Sequence, residues 1–404
     1  MSTPPLAAAR RATITDVARE AGTGKTSISR YLNGEISVLS PELRARIEAA
    51  IERLDYQPNQ MARGLKRGRN RLIGMLLADL TNPYTVEVLQ GVEAACHALG
   101  LMPLICHAAN EVEMERRYLQ LLTTYRVEGV IVNALGVREE TLRPVGGGGI
   151  PAVLVDRSVD GLVADMVGLD NRAAAELGTR HLLENGFDDI WFVVQPFEQV
   201  SSRQLREAAF REVMSGEGHE GRIRGKGEDG ANRGNDESSK GGARGHTLVL
   251  NLGEPAAVER ALAELDRAID AAGDPAGAMA RVTGRAERNA LDDATGDAAR
   301  KASANATGKT TRIALFAANA PVALCLALHL KARYGADWQA RVALLSIDDP
   351  EWAELTGVTT IRQPTYEIGY RAVEFLHERI EGIQTTARDC LLPGELIVRA
   401  STSR

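Results

Sequence analysis

The stretch from Ile14 to Arg30, ITDVAREAGTGKTSISR, leaves few folds open to the chain that carries it. Ile14, Val17, Ala18 and Ala21 recur at i, i+3, i+4 and i+7, which puts them on one face of a helix. Thr13 can cap that helix with its hydroxyl, and Gly22 stands where the exit needs a left-handed backbone. Gly24 then opens a second helix whose Ile28 and Leu32 face inward. Lys25, Thr26, Ser29 and Arg30 remain on its outer side. This is the layout of a helix-turn-helix, whose second helix lies in the DNA major groove and offers short polar and basic side chains to base edges and phosphates.

Charge is distributed to match. The chain of 404 residues carries a formal net charge of −6. Residues 1–71 nevertheless hold 13 Lys/Arg against 7 Asp/Glu, so a head of +6 sits on a body of −12. A basic end on an acidic body concentrates attraction to phosphate at that end. The length allows two or three domains. Cys96, Cys106, Cys325 and Cys390 are widely spaced with no C-x-x-C pair, which predicts neither a disulfide framework nor a zinc knuckle. MSTPPLAAARRAT lacks an apolar core long enough for secretion, and no run approaches a membrane span, so a cytoplasmic protein is expected.

Along the chain, residues 1–12 read as disordered. Ser40-Pro41 starts a third helix that carries Leu43, Ile47, Ala50, Ile51 and Leu54, and Tyr56-Gln57-Pro58 ends it. A headpiece over 1–58 follows. Residues 59–70 contain NQMARGLKRGR, four positive charges around Met61 and Leu65, with Gly64 weakening any helix. Such a segment is marginal alone, and reads either as a solvated linker or as a hinge helix that folds on DNA with Leu65 wedged into the minor groove.

From residue 71 to 404 the pattern alternates strand and helix. LIGMLLAD, MPLICHA, GVIVNAL and AVLVD are strands with helices from Pro83 to about Leu99 and from Glu111 to Tyr125 between them. A second set runs from Asn171 through DIWFVV, Ser201–Met214, TLVLNL, a helix from Glu254, RIALFAAN, a helix from Pro321, VALLSIDD, VTTIRQP, a helix from Thr365 to Ile383, and GELIVR. Two α/β lobes with parallel, doubly wound sheets are predicted, with a cleft at the carboxyl ends of the strands. Two polar, Gly-rich segments, about 215–245 and 274–311, have little to bury and read as disordered insertions.

Several stretches fall in one order that resembles the LacI/GalR family of sugar-responsive transcription regulators: ITDVAREAG, KTSISRYLNG, YQPNQMARGLK, NPYTVEVLQGVE, LVDR, GLDN, SIDD and TTIRQPTYEIG. Within it, KTSISRYLNG, NQMARGLKRGRNRLIGMLLAD, SSRQ and QPTYEIG look most like the branch of repressors that respond to 2-ketogluconate and related sugar acids. The resemblance implies an N-terminal all-α headpiece joined to a two-lobed, periplasmic-binding-protein-like domain for effector binding and dimerisation. It implies DNA contacts from Thr13, Gly24, Lys25, Thr26, Ser29 and Arg30. In the hinge it implies contacts from Asn59, Arg63, Leu65 and Lys66, with Arg67 along phosphate. It also implies an effector cleft built from Tyr84, Asn133, Asp156, Ser202, Arg206, Asn319, Asp348 and Gln363. Many members carry an acid directly after the asparagine at 319, where this chain has Ala320. With Arg206 kept, and Arg157 and Arg203 near cleft positions, that loss favours an anionic ligand unless those two arginines merely pair with surface acids.

Other chemistry finds little support. GTGKTS at 22–27 and TGKTT at 307–311 lack the earlier glycine of a phosphate loop, since Arg19 and Ser303 stand there. Gly146–Gly149 leads into a strand, not the helix a dinucleotide site needs. His97, His107 and His329 have no metal spacing. The expected function is a cytoplasmic regulator without catalytic residues, cofactor or metal. It would bind a near-palindromic operator as a homodimer or larger assembly, under control of a sugar acid such as 2-ketogluconate or gluconate. A neutral-sugar regulator and a two-lobed solute-binding protein are the rival readings.

Overall fold

The computed structural model describes residues 10–58, 69–133, 149–216, 243–273 and 311–403, apart from 160 and 199. The segment from 59 to 68 therefore lies outside the described residues, and with it the predicted hinge residues Asn59, Arg63, Leu65 and Lys66. So do most of the two predicted insertions. What is described forms two compact units, one within Met1–Arg71 and one within Leu72–Arg404.

The first unit is three helices, α1 (Ile14–Glu20), α2 (Lys25–Leu32) and α3 (Pro41–Arg53). Val17, Ala18, Ala21, Ile28, Leu39, Ile47 and Ala50 form its core. Thr13 and Asp16 cap α1 reciprocally: the Asp16 amide donates to the Thr13 hydroxyl oxygen, and the Thr13 amide donates to the Asp16 carboxylate at 2.9 Å. The Thr13 hydroxyl donates to the same carboxylate at 2.7 Å, and these bonds hold Asp16 down to about pKa 2. Ser40 caps α3, with Pro41 at its first position.

The second unit contains two six-stranded sheets. The first lobe has β1 (Leu72–Leu77), β2 (Met102–His107), β3 (Gly129–Asn133), β4 (Ala152–Val155), β5 (Asp165–Leu169) and, from the far end of the chain, β11 (Asp389–Leu392). Their order is β11-β5-β4-β3-β1-β2, all parallel. The second has β6 (Asp189–Val194), β7 (Arg244–Val249), β8 (Ile313–Ala317), β9 (Val342–Ile347), β10 (Thr359–Arg362) and β12 (Glu395–Ile397), in the order β12-β10-β9-β8-β6-β7. The two lobes thus repeat one winding, with a single departure from the parallel expectation: β12 pairs antiparallel with β10. Eight helices cover the sheets among the described residues: α4 (Pro83–Leu99), α5 (Val112–Thr124), α6 (Asn171–Glu184), α7 (Ser201–Ser215), α8 (Pro255–Gly273), α9 (Ala320–Tyr334), α10 (Glu351–Thr356) and α11 (Thr365–Ile380). None is long and apolar enough to cross a membrane.

The structure corrects the strand reading at three places. DMVGL and DCLL are strands β5 and β11, which the sequence pattern did not reveal. The predicted final strand GELIVR is the shorter β12. The strand read as TLVLNL starts at Arg244, so Arg244 and Gly245 belong to the sheet and not to the preceding insertion. The chain passes between lobes three times, after β5, after β10 and after β11.

The middle crossing sends α11 back against α4, and the two backbones meet at glycines. A Cβ on Gly91 would lie 2.0 Å from the Tyr366 carbonyl oxygen, and one on Gly369 2.0 Å from that of Val88. The connection from α11 to β11, within the first lobe, is clasped by Asp165, which is 1% exposed and accepts from the guanidinium groups of Arg379 (2.8 and 2.9 Å) and Arg388 (3.0 and 3.3 Å). Arg388 also lies over the Phe375 ring. These bonds outweigh burial and hold the Asp165 carboxyl down to about 2.

Two outcomes follow from these contacts. In a helix interior, Ala ordinarily stabilises over Gly by about 1 kcal/mol. At Gly369 the backbone contact reverses the sign, so Gly369→Ala should cost about 2 kcal/mol; a raised melting temperature would contradict the packing. Because the Asp165 pKa is depressed from 3.8, its contribution is present above that value and is lost as pH falls towards 2. Asp165→Asn should therefore lower the melting temperature at pH 7, with the gap from the parent closing as pH drops from about 4 towards 2. A gap that stays constant with pH would refute the clasp.

Candidate functional site

In doubly wound sheets the ligand crevice opens beyond the carboxyl ends of the strands, where the winding reverses. In the second lobe that point lies between β6 and β8. Gln195 follows β6 and Asn319 follows β8 there, and the Asn319 amide donates to the Gln195 side-chain oxygen at 2.8 Å. Asn319 also caps α9 by accepting from the Val322 amide at 3.1 Å. In the first lobe the equivalent end carries Asn133, the last residue of β3, whose amide donates to the Val155 carbonyl at 3.2 Å. Tyr84 begins α4 on the same side, behind the Asn82 cap.

Two aspartates occupy matching places in the two lobes. Asp156 follows β4 and Asp348 follows β9. Both adopt the left-handed region, at φ +68° and +77°. Aspartate is among the few non-glycine residues that tolerate this conformation. Their backbone amides bind the next strand alike, Asp156 to the Val167 carbonyl at 3.0 Å and Asp348 to that of Ile361 at 2.9 Å. The strand ends thus turn both carboxyl groups away from their ladders.

Across the cleft Asp156 meets α7. The Ser202 hydroxyl donates to its carboxylate at 3.2 Å, and Arg206 lies 3.9 Å away. Arg157 pairs with the same carboxylate at 3.3 Å. Beside it, the Ser158 amide donates to the Ser201 hydroxyl at 3.0 Å. Arg206 is 4% exposed and anchored within its own lobe: Nε donates to the Asn171 oxygen at 2.6 Å, and a terminal nitrogen donates to the Ala318 carbonyl at 2.6 Å. On the other side, Asp348 accepts from the Ala320 amide at 2.9 Å and from the Gln363 side-chain amide. Burial pushes the Asp348 carboxyl up, against the opposing pull of Arg206 and of those hydrogen bonds. Burial also raises the Tyr84 hydroxyl well above its ordinary value, aided by the charges of Asp156 and Asp348.

Of the eight predicted cleft residues, the structure joins Asp156 to Ser202 and Arg206, and Asp348 to Gln363. It sets Tyr84 within reach of the charges of Asp156, Asp348 and Arg206, while Asn133 and Asn319 bond to Val155 and Gln195 instead. Three of the eight keep buried polar atoms without a hydrogen-bond partner among the described residues: the Tyr84 hydroxyl, one Asp156 oxygen and the Gln363 side-chain oxygen. Such orphans mark places where a polar ligand has something to satisfy. Asn171 and Gln195 take part in these contacts although sequence reasoning missed them. Their position at strand ends was the available signal, and GLDN was noticed without a role for its last residue. A cavity of about 280 Å³ shares Tyr84, Asp348 and Gln363, but Glu87, Glu351 and Glu354 also line it. Asp349, Arg362 and Arg399 complete its charged lining. Among the described residues no group of His, Cys, Asp and Glu side chains could hold a metal ion.

In the first unit, Gly24, Lys25, Thr26 and Arg30 are exposed on α2, and Ser29 is half-buried. Arg30 lies 4.0 Å from Glu35, a solvated pair that leaves it available. The angle between α1 and α2 is held from α3. The Arg46 guanidinium donates to the Ala21 carbonyl and, at 2.8 Å, to that of Gly22, whose φ is +59°. Thr13 is engaged in its capping box at the start of α1.

Comparison with known proteins decides what these two units are. Residues 13–59 match the family described as bacterial regulatory proteins, lacI family. Residues 70–225 match the periplasmic binding proteins and sugar binding domain of the LacI family, and residues 243–402 a periplasmic binding protein-like domain. The HTH-type transcriptional regulator PtxS of Pseudomonas aeruginosa is 36% identical over 394 residues, 97% of this chain and 96% of its own. The chain belongs to the LacI family. The regulator KdgR of Bacillus subtilis is 29% identical across 96% of this chain and 97% of its own. Among solved structures, the Lac repressor dimer bound to operator and the anti-inducer ONPF aligns with a TM-score of 0.68 at 19% identity, over 97% of this chain and 99% of that one. A complex of the regulator CelR with cellobiose aligns at 0.57 with 22% identity, over 97% of this chain and all of that one. As a LacI-family member the chain is a DNA-binding transcriptional regulator and not an enzyme.

Proposed function

We propose that this LacI-family regulator controls its operator in response to a sugar acid, of which 2-ketogluconate and gluconate are the first candidates. The observation that carries this reading is the charge of the cleft. Arg157, Arg203 and Arg206 face two carboxylates, Asp156 and Asp348, of which burial pushes Asp348 towards its neutral form. An excess of buried guanidinium charge favours a ligand that brings its own negative charge. Similarity to PtxS and KdgR across nearly the full chain supports the same branch.

In this reading residues 1–58 form the DNA-reading headpiece, with Thr13, Gly24, Lys25, Thr26, Ser29 and Arg30 at bases and backbone. Residues 59–70 form a hinge that becomes helical on DNA, with Leu65 in the minor groove and Asn59, Arg63 and Lys66 beside it. Residues 71–404 bind effector and dimerise, and the cytoplasmic homodimer spans a near-palindromic operator with one headpiece per half-site. A ligand held by Tyr84, Asn133 and Asp156 from one lobe and Ser202, Arg206, Asn319, Asp348 and Gln363 from the other favours one closure angle. That angle sets the spacing of the paired hinges. Because hinge helicity is marginal, a coupling of about 1–3 kcal/mol is enough to move operator occupancy.

The test is operator affinity of the full-length protein, by fluorescence anisotropy on a DNA site selected with the protein itself. Saturating 2-ketogluconate or gluconate should change that affinity by roughly 5- to 150-fold, and glucose should leave it unchanged. A response to glucose alone would replace the sugar acid with a neutral sugar. No response to any of the three would remove this effector class.

A further inference from the structure

Arg206 and Arg203 stand three residues apart on α7, yet their surroundings differ. Arg206 is spent within the protein: Asn171 and the Ala318 carbonyl each accept from it at 2.6 Å, and Asp156 balances its charge at 3.9 Å. Arg157 is balanced by the same aspartate at 3.3 Å. Arg203 has no carboxylate within ion-pair reach among the described residues. Its guanidinium donates only to neutral acceptors, the Pro196 carbonyl at 2.7 Å and the Gln195 side-chain oxygen at 2.9 Å. Gln195 is the residue at the switch point that also holds Asn319. These two bonds fix the guanidinium plane beside the switch point of the second lobe.

On the reading of the cleft as a sugar-acid site, we infer that Arg203 is the residue that receives the ligand's carboxylate, while Arg206 positions Asp156 and the sugar hydroxyls. A guanidinium offers a planar fork that matches a carboxylate, and a preset plane loses little rotamer freedom on binding. Burial, then the like charge of Arg157 and, more weakly, that of Arg206, outweigh the opposing pull of Asp156 and push the Arg203 pKa down to about 10. A carboxylate arriving there relieves that repulsion, whereas a neutral hydroxyl does not. Arg203 thereby separates sugar acids from the corresponding neutral sugars.

The test is calorimetric titration of the full-length protein with gluconate and with glucose, for the parent and for Arg203→Gln, Arg203→Lys and Arg206→Gln, each checked for an unchanged melting temperature. Arg203→Gln should weaken gluconate on the order of 30-fold and narrow its preference over glucose by the same factor. Arg203→Lys keeps the charge without the fork and should fall between. Should the glutamine variant fail to fold, the lysine variant carries the decision: gluconate affinity equal to the parent overturns the inference. Gluconate binding untouched by Arg203→Gln but abolished by Arg206→Gln would also overturn it, leaving the sugar-acid reading intact. Failure of the parent to bind gluconate or 2-ketogluconate would remove that reading itself, and the inference with it.

Discussion

One carboxylate, Asp156, holds the cleft together. It belongs to the first lobe by its backbone, bonded to β5, and to the second by its side chain, which accepts from Ser202 and faces Arg206. A buried carboxylate is costly unless cations and hydrogen bonds surround it. Here they come from both sides, Arg157 from its own lobe and α7 from the other. Opening the cleft therefore strips Asp156 of half its partners. One of its oxygens still lacks a hydrogen bond among the described residues, an acceptor that a donor group could complete.

The same logic explains why the two lobes are alike at this point. Each sheet is wound in one order and ends its fourth strand in an aspartate with left-handed backbone. The polar groups at these strand ends cannot join the ladders, so they are turned towards the space between the sheets. Three passages of the chain join the lobes; after the second, α11 packs on α4 through Gly91 and Gly369, and Asp165 clasps the connection that leads to β11. A change of closure between two lobes so joined is the kind of two-state element a ligand can bias.

Much of this was legible in the residues. LIGMLL, DIWFVV, IALFA and VALLSI are buried along nearly their whole length, which is why they read as apolar runs. β11 alternates exposed and half-buried residues over four positions, a signal too short to separate from a loop. β7 opens on Arg244, a polar start accounted for by the distant Asp189 that pairs with it at 2.7 Å. In the site, Asp156 and Asp348 stood out as strand-end acids. Asn171 and Gln195 did not, because an amide there looks like any turn residue until its partner is known. Which arginine of α7 is occupied could not be read from spacing either. That depends on Asn171 and Ala318, far away in sequence.

A regulator of this kind works only if the cleft and the DNA-reading helix share one equilibrium. Linkage then requires that whatever factor a ligand imposes on DNA affinity, DNA imposes on the ligand. The most direct measurement is the affinity of the full-length protein for the proposed sugar acid by calorimetry, once free and once saturated with operator DNA. The account predicts two different affinities, whose ratio equals the shift in operator affinity produced by saturating ligand. Equal affinities with and without DNA would show that the cleft and the headpiece do not communicate, and would contradict it.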